Sequence, residues 1–376
     1  MRRSRALTGL CMAVLAALLG CRSEDGAGGS TAGTALYLFD QSSQAILVWN
    51  DMETVYSAST PPAADKTLTA DPISSSINPL AWGGLTLDPN RNQLYLVSAS
   101  GTVVRVNNLR NQTGKITTTT DLATFTLDST NRLAGSVFGQ ASVDPQSGAL
   151  FITETGTSST RIWVVANAGS IGDTMSVTGV FLAAPNQDDT SSSGSIIGAA
   201  GVAAAQGSVF AYMEGGATIT NLNGSYTGPR LRRSADGSTF NSVIIGSSTQ
   251  LEAFGTLAYD TANATVYVGV NTTVQTTGTH PVLAFKTGAF SSGFDEKPDM
   301  TLDTPAVTNL RVLAHAGSKD WLVGLKGTPG TGGGADTAYG DLIMWKSPAS
   351  GGTTGASITL PGTALFRGAA LDGSGG

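Results

Sequence analysis

In the stretch Gly84-Leu-Thr-Leu-Asp88-Pro89 a short apolar run ends at an aspartate. The aromatic residue Tyr95 lies seven positions after that aspartate. Short apolar runs bounded by turn-forming residues are typical of β-strands. The same arrangement recurs at intervals of 54 to 59 residues. The other copies pair Asp144 with Phe151, Ala203 with Phe210, Asp260 with Tyr267, and Ala314 with Trp321. A period of this length predicts a repeat architecture, in which the aromatic residues pack between neighbouring repeats.

The two ends of the repetitive region are complementary halves of one repeat. Arg367-Gly-Ala-Ala-Leu-Asp372 is a first half, and Ala35-Leu-Tyr-Leu-Phe-Asp40 is a second half. Each repeat holds four strand-like runs; in the third repeat the fourth run is Ser176-Val-Thr178. Joining the two ends completes a sixth repeat and leaves no open edge strand. The sequence therefore predicts an all-β, six-bladed β-propeller in which the N- and C-terminal strands share one blade.

The repeat consensus is an apolar-Asp-Pro segment, then Leu-Tyr, then Arg-Ile. The segment Phe151-Ile-Thr-Glu154, followed by Thr160-Arg161-Ile162, is its clearest copy. This pattern resembles the NHL-type and YVTN-type β-propeller repeats over residues 35–376. The resemblance implies the propeller fold. It does not specify an activity, because one fold hosts many functions.

The first twenty residues have the anatomy of an export signal. Three arginines lie within the first five positions, and an apolar stretch runs from Ala6 to Gly20, too short for a stable membrane span. The stretch ends Leu18-Leu19-Gly20-Cys21, which resembles the lipobox of bacterial lipoproteins. That resemblance implies cleavage before Cys21 and attachment of lipid to its thiol. The alternative is an ordinary secretory signal in which the cysteine has no role.

This interpretation divides the chain into a lipoprotein signal peptide (1–20), a flexible Gly/Ser-rich tether (21–34) and the propeller (35–376). We expect the lipid on Cys21 to anchor the protein in the bacterial cell envelope. Arg22, rather than an aspartate, follows the cysteine, which favours the outer membrane. We expect a monomer on the periplasmic or the surface side of that membrane.

The composition excludes several functions. The chain of 376 residues carries 21 basic and 27 acidic side chains and a net charge of −6, so a basic nucleic-acid surface is not expected. Two histidines and two cysteines are too few for a zinc cluster or a disulfide scaffold. The histidines, His280 and His315, fall in loops expected on opposite faces. A Ser-His-Asp site is therefore not predicted.

The loops between the second and third strands vary in length, and variable loops often carry function. The acidic residues on this face are Asp40, Glu154, Glu214, Glu252 and Asp341. Lactonase-like six-bladed propellers hold calcium at the channel with carboxylates and asparagines, and calcium takes about six to eight oxygen ligands. The candidate ligands here are Asp40, Glu154 and Glu214, with Asn271 and Asn309. The repeated aspartates Asp88, Asp144, Asp260 and Asp372 are predicted to be turn residues instead.

One position near the channel mouth differs between the repeats. Arg367 lies five residues before its aspartate. At that position the other repeats carry Gly83, Gly139, Gly198, Gly255 and Asn309. Arg367 either faces an anion or a water at the axis, or is paired with a neighbouring carboxylate.

Three functions fit these observations. The first is a lipid-anchored scaffold that binds a protein or glycan partner. The alternative is a calcium-dependent, lactonase-like hydrolase with its site at the channel mouth, and carboxylates converging on one point would favour it. The third is a structural surface protein without a well-formed cleft.

Overall fold

A computed structural model describes the repetitive part of the chain. The described residues are 33–117, 120–157, 160–182, 197–215, 219–221, 224–226, 228–237, 240, 242–246, 249–251, 255–270, 281–291, 295–304, 310–316, 321–328, 337–351, 354–360 and 365–374. The predicted signal peptide, and all but the last two residues of the tether, lie outside them. No helix in the described ranges is long and apolar enough to cross a membrane.

Most of the described residues belong to short strands, as alternating apolar residues and frequent turn residues require. In chain order the strands are β1 Ala35–Asp40, β2 Ala45–Trp49, β3 Lys66–Leu68, β4 Leu80–Asp88, β5 Gln93–Ser98, β6 Thr102–Val106, β7 Leu122–Leu127, β8 Val137–Val143, β9 Leu150–Thr155, β10 Thr160–Val165, β11 Ser176–Val177, β12 Val180–Leu182, β13 Ile197–Ala205, β14 Ser208–Gly215, β15 Ile219–Asn221, β16 Gly224–Tyr226, β17 Arg230–Ser234, β18 Ser242–Ile244, β19 Thr256–Asp260, β20 Thr265–Gly269, β21 Val282–Lys286, β22 Met300–Leu302, β23 Leu310–His315, β24 Trp321–Thr328, β25 Thr337–Lys346, β26 Ala356–Thr359 and β27 Phe366–Asp372.

Helices are few and short among the described residues. The α-helices are α1 Met52–Ser57, which begins where the Asp51 carboxylate accepts from the Glu53 amide, and α2 Asp71–Ser76, which has a proline in its first turn. The 3-10 turns are Leu109–Asn111, Ser129–Asn131, Ala168–Ser170, Thr287–Ser291 and Pro348–Ser350.

All of the described strands except β11, β15 and β16 form six antiparallel four-stranded blades. From the inner to the outer strand, blade 1 is β27-β1-β2-β3, blade 2 is β4-β5-β6-β7, blade 3 is β8-β9-β10-β12, blade 4 is β13-β14-β17-β18, blade 5 is β19-β20-β21-β22, and blade 6 is β23-β24-β25-β26. Each inner strand contacts the inner strands of both neighbouring blades, so the ring is closed. The predicted six-bladed β-propeller is confirmed.

Blade 1 joins the two ends of the ring. The C-terminal strand β27 pairs antiparallel with β1, with Ala35 opposite Asp372 and Tyr37 opposite Ala370. The predicted sharing of one blade by the terminal strands is therefore confirmed. The two halves are recognisable because each carries one side of the same apolar hairpin, and β27 has no partner strand other than β1 in this blade.

The core is divided among the six seams between blades. Tyr95, Phe151, Phe210 and Tyr267, the aromatic residues of the repeat, are all at most 4% exposed. Each packs in a seam cluster; Tyr95, for example, lies with Trp163 between blades 2 and 3. The predicted packing role of these aromatic residues is confirmed. Burial of a large aromatic side chain at each seam stabilises the ring by about 2–3 kcal/mol per residue.

Two details of the strand assignment differ from the prediction. The run at Ser176 is not the fourth strand of blade 3: β11 lies parallel to β7 at the outer edge of blade 2, and β12 takes the fourth place in blade 3. The repeats in blades 4 and 6 are also shifted by two residues. Phe210 pairs with Ala203, as Tyr95 pairs with Thr86. In blade 6 the amide of Leu313 donates to Thr256, as the amide of Val202 donates to Gln140 in blade 4, and both acceptors lie four residues before an aspartate. The residues equivalent to Asp88 are therefore Ala205 and Ala316, rather than Ala203 and Ala314.

Candidate functional site

A central cavity of about 780 Å³ runs between the six inner strands. One end is rimmed by the turns that follow the inner strands, at Asn90, Gln146, Gln206, Thr261 and Ser374. All of these except Thr261 are exposed, so the cavity reaches solvent at this end. We call this end the aspartate-turn face. It is the opposite end from the variable loops on which the sequence placed its candidate site.

The repeated aspartates build the turns of this face. The carboxylate of Asp88 accepts a hydrogen bond from the amide of Asn90, and the carboxylate of Asp372 accepts one from the amide of Ser374. Asp144 accepts a hydrogen bond from the amide two residues further on, and Asp260 accepts one from the amide three residues further on. These aspartates are buried. Their predicted role as turn residues is confirmed, because the short side chain satisfies amides that the hairpin leaves without a partner.

None of the residues that line the cavity is an aspartate, glutamate, lysine or arginine, and one of them is a histidine. The lining residues are small or apolar, or carry amides and hydroxyls such as those of Thr86, Ser142 and Tyr259. Some of the hydroxyls join neighbouring blades: Thr86 Oγ1 accepts from the Val143 amide at 3.2 Å, and Ser142 Oγ accepts from the Ala204 amide at 2.9 Å. The lining suits a neutral or weakly polar group rather than an ion.

Gln140 crosses the channel at the inner end of the cavity. Its side-chain oxygen accepts from the amides of Val202 and Leu257, at 3.2 and 3.0 Å, and its Nε2 donates to the carbonyl of Leu257 at 2.7 Å. Gly83 of blade 2 takes a φ of +71° and lies against the methylene groups of Gln140. The glutamine therefore ties blades 3, 4 and 5 together and fills the axis. Sequence reasoning missed it, although it is the only glutamine in an inner strand.

Two arginines and a tryptophan form a cluster in the inner strands. The arginines lie one residue further than Gln140 from the aspartate-turn face. The guanidinium carbons of Arg367 and Arg311 lie 5.1 and 5.8 Å from the centre of the Trp82 ring. We call these three residues the Arg-Trp cluster. Arg367 was predicted from sequence, but Arg311 was missed. The shifted register makes Arg311, rather than Asn309, equivalent to Arg367. No sequence signal marked Arg311, because Ala316, five positions later, stands where four of the repeats carry an aspartate.

Asp40 was a predicted calcium ligand, and its carboxylate serves a turn. It accepts from the amides of Ser42 and Ser43 in the loop after β1, and from the Leu365 amide at 3.0 Å in the segment entering β27. Burial alone would raise the pKa of Asp40. The hydrogen bonds from Ser43 and Ser42 outweigh burial and hold that pKa below its ordinary value.

Glu154 occupies the equivalent position in blade 3 and is likewise engaged. The side chain is buried and accepts from Arg161 Nε and Trp163 Nε1, each at 2.6 Å, and from the Leu133 amide at 2.9 Å. Burial alone would raise the pKa of Glu154, but the hydrogen bonds from Arg161 and Trp163 bring it below its ordinary value. Like Asp40, Glu154 holds the segment that leads into the inner strand of its own blade.

The side chains of the other predicted ligands lie outside the described residues. They are those of Glu252, Asn271 and Asn309, and that of Glu214, whose backbone belongs to β14. Cys21 also lies outside the described residues. Within the described part of the chain, no three His, Cys, Asp or Glu side chains are grouped so that they could hold a metal ion. The calcium site remains a prediction, and Asp40 and Glu154 share no hydrogen-bond partner.

His315 ends β23 and lines the cavity near the aspartate-turn face. Its Nε2 lies 3.7 Å from the Asp260 carboxylate of blade 5, and its ring stacks on Tyr267 with 5.6 Å between ring centres. The contact joins blades 5 and 6, and it is an ion pair only when the imidazole is protonated. His280 lies outside the described residues.

The comparison with known proteins rests on the fold alone. No family model matches the sequence, and no curated protein matches it. A chain of the nidogen/laminin complex matches with a TM-score of 0.52 and 12% identity over 92% of this chain and 100% of that chain. The chain is a six-bladed β-propeller. The propeller is also similar to the GH74 enzyme of Niastella koreensis (TM-score 0.46, 14% identity, 76% of this chain and 38% of that one) and to the Dos1 propeller (0.40, 8%, 86% and 68%).

Proposed function

We propose that this protein is a lipid-anchored β-propeller that binds a partner at the bacterial cell envelope, with its aspartate-turn face as the binding surface. The observation that carries the proposal is the central cavity. It is bounded by all six blades, reaches solvent between exposed amide side chains, and has a largely uncharged lining. Clefts of this kind hold side chains or small groups of a ligand.

The partner that we favour is a protein. The architecture occurs in a protein assembly, because the similar chain belongs to the nidogen/laminin complex. The rim offers amide donors and acceptors at Asn90, Gln146 and Gln206, which suit the polar edge of a protein interface. The similarity to NHL-type and YVTN-type repeats, noted from the sequence, agrees with this proposal.

The anchor and the division of the chain belong to the same proposal. Their support is the order of the positive segment, the apolar segment and Leu18-Leu19-Gly20-Cys21. Cleavage before Cys21 would leave a tether up to residue 34 and a propeller from residue 35. A lipid on Cys21 would then hold the binding surface near the membrane, most favourably the outer membrane. The propeller would act as a monomer.

Photocrosslinking tests the binding surface in the cells that naturally make the protein. A benzoyl-phenylalanine at Gln146, on the rim, should give a discrete adduct, and one at Thr67, exposed on the outer strand β3, should give none. Peptides of a second chain in the mass spectrum of the adduct identify a protein partner, whereas added mass that a glycosidase removes identifies a glycan. Equal adducts at both positions, or none at either, contradict the proposed surface.

Metabolic labelling with a fatty acid tests the anchor separately. The wild-type chain should take up label, and Cys21→Ala should not. Cys11→Ala, which changes the other cysteine in the apolar segment, is the matched control and should label like the wild type. Continued labelling of Cys21→Ala would overturn the anchor without affecting the binding surface.

A further inference from the structure

Each inner strand turns one edge of its backbone toward the central cavity. The amide of Asp144 donates to the Ala149 carbonyl, and that of Ala316 to the Trp321 carbonyl, so the last position of each inner strand bonds to the second strand of its blade. Along an antiparallel pair, hydrogen-bonded positions alternate with positions that exchange no bond. The residue just before the turn aspartate, or before the alanine that replaces it, therefore directs its N–H and C=O to the channel. These pre-turn residues are Leu87, Val143, Ala204, Tyr259, His315 and Leu371.

Two of the pre-turn amides are capped by a hydroxyl of the preceding blade. Thr86 Oγ1 accepts from the Val143 amide at 3.2 Å, and Ser142 Oγ accepts from the Ala204 amide at 2.9 Å. Both hydroxyls lie two positions before the turn aspartate. The equivalent residues of the other four blades are alanines: Ala203, Ala258, Ala314 and Ala370. The hydroxyl cap is therefore replaced by a methyl group at four consecutive seams, from blades 4 and 5 round to blades 1 and 2.

The amides of Leu87 and Leu371 are the clearest consequence. Ala370 packs beside Leu87 in one seam, and Ala314 packs beside Leu371 in the next. All four residues line the cavity. In the described part of the chain, no side chain accepts from either amide. This side of the wall presents strand N–H and C=O groups beside small side chains.

Gln140 shows which chemical group suits such a wall. Its carboxamide oxygen accepts from the amides of Val202 and Leu257, and its Nε2 donates to the Leu257 carbonyl. Val202 and Leu257 lie two residues before pre-turn residues, on the same strand edges. A carboxamide offers an acceptor and two donors. It therefore satisfies both kinds of strand-edge group at once.

The lining disfavours two other classes of group. A charged group would lose its hydration without a counter-charge, because none of the lining residues is an aspartate, glutamate, lysine or arginine. The side chain of His315 is only 2% exposed and stacks on Tyr267. An apolar group would leave the strand N–H groups without an acceptor. A neutral group that both donates and accepts fits best.

We propose that the cavity receives the side-chain carboxamide of an asparagine or glutamine of the partner, held by the backbone amides and carbonyls of Leu87 and Leu371. The inference rests on the proposed binding of a protein at the aspartate-turn face, and it adds the residue type that enters the cavity. Leu87 and Leu371 each lie three residues before an exposed rim residue, Asn90 and Ser374. A side chain that enters at the rim therefore meets these backbone groups first.

Saturation-transfer NMR on the full-length chain in detergent tests the residue type. The probes are three peptides in which glutamine, glutamate or methionine stands between two glycines, each with an acetyl and an N-methylamide cap. They share one backbone and have side chains of similar length. We expect the glutamine peptide to bind with a dissociation constant of about 1–10 mM, and about fivefold or more tightly than the other two. Equal binding of all three peptides, or no binding of the glutamine peptide, overturns the proposal.

Serine substitutions test the location of the site. Ala370→Ser and Ala314→Ser place a hydroxyl where Thr86 and Ser142 carry one, so each should cap a pre-turn amide and weaken binding of the glutamine peptide about fivefold. Ala123→Ser is the control, because Ala123 is 5% exposed like Ala370 but lies on the outer strand β7. It should bind like the wild type. Unchanged affinity in the cavity variants, with folding confirmed by circular dichroism, overturns the proposal, and the peptide comparison on the wild type does not depend on these variants.

Failure of this inference is distinguishable from failure of the proposed function. A discrete crosslink at Gln146, with no preference for the glutamine peptide, would refute the carboxamide site and leave the binding surface intact. A preference for the glutamine peptide that Ala370→Ser reduces, without any crosslink at Gln146, would support the carboxamide site and contradict the proposed surface.

Discussion

The guanidinium of Arg110 in blade 2 lies 2.8 Å from the carboxylate of Asp372, the last residue of the strand that closes the ring. Arg110 follows β6, and its Nη2 also donates to the carbonyl of Pro89. Asp372 is almost fully buried. The hydrogen bond that Arg110 donates to the Asp372 carboxylate raises the pKa of Arg110, although burial opposes this shift. The pair therefore fastens the C-terminal strand to the neighbouring blade.

Removal of this arginine should weaken the closure. Arg110→Gln leaves a buried carboxylate with one ionic partner fewer, which should lower the free energy of unfolding by about 1–3 kcal/mol. Urea unfolding followed by circular dichroism measures the change. Lys115→Gln removes an ion pair that is exposed on both sides, and it should cost at most about 0.5 kcal/mol. Equal losses of unfolding free energy in the two variants would show that the Arg110–Asp372 pair contributes no more than an exposed ion pair.

Deletion of residues 366–376 should prevent stable folding. Blade 1 then lacks its inner strand, and β1 presents an unpaired edge to the channel. We expect loss of cooperative thermal unfolding and aggregation of the truncated chain. A chain that lacks only Gly375 and Gly376 keeps Asp372 and Ser374 and is the control, with an unchanged melting temperature. Cooperative unfolding of the larger deletion at the wild-type temperature would refute the closure.

Gln140→Ala should destabilise the ring at its axis. The change removes the acceptor that serves the amides of Val202 and Leu257 and the hydroxyl of Thr256. Buried donors left without an acceptor should cost about 2–4 kcal/mol in total. Gln206→Ala, at the exposed rim, is the control and should change stability by less than about 0.5 kcal/mol. Chemical denaturation at neutral pH compares the two.

Acid should remove the stabilisation that Glu154 provides. Because its pKa in the folded protein lies below the ordinary value of 4.5, its contribution is present above pH 4.5 and is lost as the pH falls through the folded pKa. The stability difference between wild type and Glu154→Gln should be constant from pH 6 to 8 and should shrink below pH 4.5. Urea unfolding between pH 3 and 8 measures it. A difference that stays constant down to pH 3 would contradict this role.

Glu53→Gln provides the acid control. Glu53 is about half exposed and pairs with Lys346 on the surface. Its replacement should change stability little at any pH, because solvent screens an exposed pair.

Local sequence patterns predicted the architecture of this protein well. The aspartate that ends four of the inner strands and the aromatic residue that follows it were visible because each has a local role, one in a turn and the other in a seam. The offset in blade 4 was not visible. There Ala205 replaces the aspartate, and a tight turn at Gln206 and Gly207, both with positive φ, shortens the hairpin by two residues. An alanine gives no turn signal, so the spacing alone allowed the wrong register.

The sequence by itself determined the six repeats, the complementary ends and the turn residues, because these depend on contacts within one hairpin and on a fixed period. Only the tertiary structure decided which residues meet at the axis. Arg311 and Arg367 are 56 positions apart, and Trp82 is farther still from both. They meet because the bulges and the strand register turn residues from blades 6, 1 and 2 toward one channel. That geometry is fixed by pairing between strands, which no single repeat encodes.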